Sequence, residues 1–220
     1  MDYDFNFAAV WRDFDILLSG LGLGLVLAVI SIAIGCLIGL CLAFAMLSKK
    51  RLIRWAATVY VSVFRNTPIL VLILFTFFAL PEFGINLGKI ESFIVTLSVY
   101  SGAYLTEVFR SGLVSLPPGL REAGLTVGLT EFRTKILITI PVMFRRVLPA
   151  LGNNFISLFK DTSLAAVIAV PELTFYARKI NVETFRVIET WLVASLMYVI
   201  ACSIIAAILR RTENRLAIPK

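Results

Sequence analysis

The chain alternates long apolar runs with short charged segments. The first run extends from Ile16 to Ser48, 33 positions without one charged residue. About 20 apolar residues cross the hydrocarbon core of a bilayer, so this run is a membrane span with length to spare. Four more spans are expected, over residues 55–80, 92–114, 147–170 and 190–209. Arg65 interrupts the second, and Pro68 marks a candidate kink in it. Glu107 and Arg110 lie near the end of the third, and Lys160-Asp161 sits inside the fourth. The pattern predicts an all-α integral membrane protein of five transmembrane helices. It forms one transmembrane domain, 1–220, whose longest connection is the loop 115–146.

Five crossings put the termini on opposite sides, and the loop charges choose which. With the N-terminus outside, the inner segments are 48–54, 110–146 and 210–220. They hold fourteen basic residues against three acidic ones. The outer segments hold five basic residues and nine acidic ones. Lys and Arg concentrate on cytoplasmic loops, so the expected orientation is N-out, C-in. The net charge of +7 is therefore a membrane-topology signature, and no nucleic-acid partner is expected.

Composition agrees: 59% of residues are hydrophobic and 16% charged, with a mean hydropathy of +0.91. A soluble domain is about 45–50% apolar and about 25% charged. The acidic segment before Ile16 has the wrong sign for the basic start of a cleaved signal, and the run itself is too long for one. The chain contains no histidine, which removes a Ser-His-Asp triad, a histidine-ligated metal and a histidine proton relay. Cys36, Cys41 and Cys202 lie in apolar runs without Cys-x-x-Cys spacing, so neither a disulfide scaffold nor a metal site is expected. Gly88-Lys89 is followed by Ile90, so that pair opens no phosphate-binding P-loop. The chain is expected to be no enzyme and to carry no cofactor of its own.

Charges inside a span cost at least about 2.5–3.5 kcal/mol near its centre, so they usually face protein or water. In the third span Tyr100, Tyr104, Glu107 and Ser111 recur at steps of four, three and four, one stripe of a helix. In the fourth, Asn154, Ser157 and Asp161 share a face, with Lys160 and Thr162 beside them. Two such stripes mark a candidate water-accessible path for a polar solute, with Arg65 a third charge at depth. A structural alternative stands beside it: Glu107 pairing with Arg110, and Lys160 and Asp161 pairing with other helices. Gly35, Gly39 and Ala43 stand four apart, as do Gly20 and Gly24. That spacing suits close helix packing, with lipid-facing glycine as the alternative.

In the loop 115–146, residues 121–127 are expected to form a short helix. Thr130 is a weak helix start, because Arg133 stands where a capping box has an acid. Pro141 interrupts the apolar stretch after Ile140. A short amphipathic helix here could dock into a partner's groove.

At this point the residues resemble a known family. Glu122-Ala123-Gly124, then Gly128, Ile138 and Ile140-Pro141, match the spacing of the EAA loop of ABC importer permeases. Gly124 replaces the second Ala and Ile140 replaces Leu. Leu120 and Val142 stand where the family often has Gln. Residues 63–68, 104–110 and 160–164 resemble the polar amino acid permeases of the histidine and glutamine importer type. The resemblance implies a type I importer with a MetI-like permease core in a bacterial cytoplasmic (inner) membrane. It implies a second permease subunit, a cytoplasmic ABC ATPase dimer carrying ATP and Mg, and an external or periplasmic amino acid-binding protein. Glu122, Ala123, Gly124 and Gly128 would contact the ATPase. Glu107, Tyr104, Asn154, Ser157, Lys160, Asp161, Thr162, Ser163 and Arg65 would line the solute path. The competing reading is a stand-alone channel or secondary transporter, which leaves the ordered Glu-Ala-Gly loop unexplained.

Overall fold

The computed structural model describes residues 3–216, and every regular element in it is helical. Asp2 and Lys220, counted above in the orientation, lie outside the described residues. A short helix α1 (Ala8–Arg12) leads into α2 (Phe14–Met46). Then come α3 (Arg51–Asn66), α4 (Ile69–Leu74) continued by a π turn and a 3-10 turn to Phe83, and α5 (Lys89–Val114). The connection holds α6 (Pro118–Thr126) and α7 (Glu131–Thr134), then α8 (Ile140–Asp161), a 3-10 stretch Thr162–Ile168, α9 (Leu173–Thr184) and α10 (Val187–Leu216). Among the described residues four continuous helical runs are long and apolar enough to cross a membrane, and five if the broken pair α3–α4 is one span.

The break falls where the chain dictates. Pro68 lacks an amide donor and disfavours helical backbone at Thr67, so α3 stops at Asn66 and the next helix starts at Ile69. Pro141 does not have this effect. The helix that begins at Glu131 runs through it to Asp161, by way of a π turn over Lys135–Thr139. The expected loop is therefore mostly helix, and at Pro141 a wider turn absorbs the proline ring and the carbonyl it leaves unpaired. Arg133, Lys135, Arg145 and Arg146 keep this first stretch out of hydrocarbon, so the crossing starts beyond them.

Contacts gather the chain into two compact units, each assembled from separate segments. The first comprises the N-terminal part through Ala33 with Thr67–Ser98 and Phe155–Ile205. Its core packs Leu17 with Leu173, Ala177 and Ile180 of α9 and with Val193 and Met197 of α10. Gly20 meets the backbone of Glu172 and Leu173, where an added Cβ would lie 2.8 Å from both.

The second unit comprises Ile34–Asn66, Val99–Asn154 and the chain from Ala206. Here α2 lies against α5. A Cβ at Gly39 would fall 2.9 Å from Leu105 Cβ and 3.0 Å from the Thr106 amide nitrogen. At Gly35 it would run into the Ser101 side chain. Ala43 is buried on the same stripe. These small residues form helix contacts rather than a lipid face.

Candidate functional site

The second unit holds a polar pocket of about 260 Å³. Thr58, Ser62, Arg65 and Asn66 of α3 line one side, and Tyr104 and Glu107 of α5 the other. The Arg65 guanidinium lies over the Tyr104 ring, 5.3 Å from its centroid. The Tyr104 hydroxyl reaches the Arg65 carbonyl at 3.5 Å and accepts from the Tyr100 hydroxyl at 3.2 Å. Arg110 donates to Glu107 through Nε at 2.9 Å and Nη2 at 2.6 Å. Both bonds fall on Oε2, which leaves Oε1 for a further donor. Arg65, by contrast, is exposed, and among the described residues its guanidinium is engaged through the Tyr104 ring face. The pocket thus offers a free cation and a half-engaged carboxylate, the pair that a zwitterion needs.

Three of the residues expected on the solute path, Arg65, Tyr104 and Glu107, meet here. The sequence reading overlooked Thr58 and Ser62. Their signal was present, since Thr58, Ser62 and Arg65 stand four and three apart on one face of α3. The fourth-span residues are placed differently. Lys160 and Ser157 are exposed, and Asp161 is half-buried at the change from α-helix to 3-10 helix. Asn154 returns its amide to the Ala150 carbonyl at 2.8 Å. Thr162 is wholly buried, donates to the Phe159 carbonyl at 2.6 Å, and would meet a Cβ at Gly24 at 3.2 Å. Here it packs helices: the hydroxyl bonds back to its own turn, and its oxygen is the atom that faces Gly24.

The break after the fourth span holds a residue the sequence did not flag. Glu172 is fully buried, and its carboxylate caps α9. It accepts from the amides of Thr174 and Phe175 at 2.9 and 2.8 Å, and from the Tyr198 hydroxyl at 2.9 Å. Irregular backbone at depth must have its polar groups paired, and Glu172 does this for the helix start.

The connection 115–146 folds as α6 packed on α7 and the π turn. Pro117 and Pro118 start α6, where a missing amide costs nothing. Thr130 does cap α7, accepting from the Arg133 amide at 3.3 Å, so the weak start signal is a working one. Glu122 and Ala123 are exposed. Gly124 is buried inside the loop, where a Cβ would lie 2.6 Å from Thr134 Cγ2 and 3.1 Å from Ile138 Cδ1. Gly128 has φ +86° with open space where a Cβ would stand. Within the chain each glycine has a structural reason, with Gly124 buried and Gly128 exposed. Gly124 lets α6 sit on α7, and Gly128 ends α6 in a left-handed conformation that glycine adopts freely. Arg121 pairs with Glu131 across the loop. Its guanidinium holds the Glu131 carboxyl below the usual carboxylate range, with Lys135 and Lys49 adding to the effect. That stabilisation is complete at neutral pH and is lost as pH falls below the ordinary carboxylate range.

These features agree with the comparisons. The family profile described as "Binding-protein-dependent transport system inner membrane component" matches residues 31–218. The chain belongs to this family. The permease is 38% identical over 217 residues to the glutamine transport system permease protein GlnP of Escherichia coli K12, covering 97% of this chain and 99% of that one. It is 36% identical to the L-cystine transport system permease protein TcyB of Bacillus subtilis over 91% of this chain and 86% of that one. Among solved structures it resembles an amino acid ABC transporter crystallised with histidines, with TM-score 0.87 and 30% identity over 97% of this chain and 100% of that chain. The inward-facing MetNI methionine transporter shares the fold, with TM-score 0.78 and 18% identity over 94% of this chain and 99% of that chain. The permease is thus a multi-pass inner-membrane component of an ABC importer, which works with a binding protein and an ATPase. The comparisons favour this reading over a stand-alone channel or secondary transporter.

Proposed function

We propose that this permease carries a polar amino acid across the membrane by alternating access, as one of two permease subunits, with ATP and Mg bound on the partner ATPase. The observation that carries the substrate class is the pocket with Arg65 on α3 opposite Glu107 on α5. Arg65 would take the α-carboxylate in a charge-assisted contact, and Glu107 Oε1 the α-ammonium. In the first unit Asp161, Lys160 and Ser163 are further candidates for contact with the solute. Relatives are named for glutamine and cystine, which agrees with an α-amino acid.

The orientation is N-out, C-in with five crossings; the loop charges choose the side, and a parity argument supports the count. The Asn6 amide donates to Glu189 at 2.8 Å and Arg186 donates to the Asp4 carbonyl at 2.8 Å. The N-terminal segment and the start of α10 therefore share one side of the membrane. An even number of crossings must separate them. Only three continuous helical runs, those of α2, α5 and α8, lie between, so the broken α3–α4 pair supplies the fourth.

ATP closure of the ATPase pair would move α6 through its exposed middle, Glu122 and Ala123, and rock the permease halves. The test is ATP-dependent uptake in proteoliposomes containing the permease, its ATPase and its binding protein. Arg65→Gln and Glu107→Gln should each lower uptake of the preferred amino acid about 10-fold or more, the loss of a charge-assisted hydrogen bond. Unchanged uptake by both variants in an assembled complex would remove the pocket from the path.

A further inference from the structure

The second unit contains a larger cavity, of about 640 Å³, on the inner side of α6. Its walls are graded. Phe44 and Leu47 come from the end of α2 and the residue after it, and Leu113 and Leu116 from the end of α5 and just beyond it. The other wall is charged, with Lys49, Arg121 and Lys135 on one count and Glu122 and Glu131 on the other. Arg121 is spent on Glu131. Lys49 and Lys135 act on the same carboxylate only at longer range. The Lys135 ammonium sits 5.7 Å from the Phe44 ring centroid, at the seam between the apolar and charged walls. The cavity therefore keeps two ammonium groups for a ligand, next to an apolar slot at the membrane end of two spans.

We infer that this cavity binds an anionic phospholipid of the inner leaflet, its phosphate on Lys49 and Lys135 and the start of its acyl chain against Phe44, Leu113 and Leu116. The inference rests on the N-out, C-in orientation proposed above, which sets these residues at the cytoplasmic headgroup level. Basic pockets between spans on that side are a recognised way to hold anionic headgroups. The ligand must be amphipathic, because a free anion would leave the apolar walls in water. Glu122 and Glu131 disfavour a headgroup with excess negative charge, which points to a single phosphate. The lipid would lie beneath α6 and brace it against α2 and α5.

The experiment uses the whole transporter, purified with its ATPase and binding protein from nanodiscs of phosphatidylcholine containing phosphatidylglycerol. Retained lipid is quantified by mass spectrometry. Wild type should retain phosphatidylglycerol selectively. Lys49→Gln and Lys135→Gln should each weaken retention about fivefold, the effect of one basic residue near an anionic surface. Arg210→Gln with Arg211→Gln, which removes two charges at the exposed end of α10, should leave retention unchanged. Equal retention in the lysine variants overturns the inference, and so does equal loss in the arginine control, which would mean general surface attraction. Displacement of the lipid by inorganic phosphate as effectively as by short-chain phosphatidylglycerol also overturns it, since the site would then be a simple anion site. ATPase co-purification is read in the same samples. An intact complex without selective lipid therefore sinks this inference and leaves the importer reading standing.

Discussion

The guanidinium of Arg65 lies 5.3 Å over the ring of Tyr104, while the Tyr104 hydroxyl points back to the Arg65 backbone. The contact fixes an exposed arginine, whose flexible stem would otherwise sample many rotamers, at the mouth of a polar pocket. The ring does not neutralise the cation, so its N–H groups remain available to a carboxylate.

This relationship separates two substitutions of one tyrosine. Tyr104→Phe keeps the ring face and should leave the half-saturating concentration for uptake close to wild type. Tyr104→Leu removes a contact worth about 0.5–2 kcal/mol and should raise that concentration several-fold. Proteoliposome uptake titrated with loaded binding protein reads the difference. Equal effects from the two variants would mean that the hydroxyl, not the ring, is what matters.

Glu122 is exposed on α6 and makes none of the ion pairs within the loop, where Arg121 and Glu131 face each other. Glu122→Arg should therefore abolish co-purification of the ATPase while membrane insertion and yield stay normal. Normal ATPase recovery and transport in this variant would contradict the coupling role.

The two loop glycines should fail for different reasons. Gly124→Val drives a branched side chain into Thr134 and Ile138, and overpacking of this kind costs about 1–3 kcal/mol. Gly128 has room but φ +86°, so Gly128→Asn should be mild and Gly128→Val costly by about 1–3 kcal/mol. ATPase activity stimulated by the binding protein, compared across the three variants, orders them. If Gly128→Asn is as damaging as Gly128→Val, backbone conformation is not the cause.

Gly39→Ala tests the α2–α5 contact. The added methyl meets the backbone at Leu105 and Thr106, which cannot rotate away. The helices must separate, and the thermal unfolding midpoint of the complex in detergent should fall by several degrees. Gly22→Ala, on the same helix with nothing within 4 Å, is the control and should be neutral. A midpoint unchanged at Gly39 would show that α2 and α5 have slack.

Much of the architecture is written locally in the chain. A run of 33 uncharged residues can satisfy its backbone only as a helix in lipid, so α2 needed no tertiary information. Loop charge, the Pro68 break and the spacing of Glu122, Ala123, Gly124 and Gly128 are likewise one-dimensional, and they led to the importer family. What one dimension lacks is which helix meets which. Only the fold brings Arg65 to Tyr104, because the two lie on separate spans. Only the fold turns Thr162 into a packing residue and buries Gly124 inside the loop, because burial depends on neighbours distant in sequence. The carboxylate of Glu172 is the sharpest case. In sequence it is an ordinary acid after a proline, and its role exists only once the α9 amides and Tyr198 converge on it.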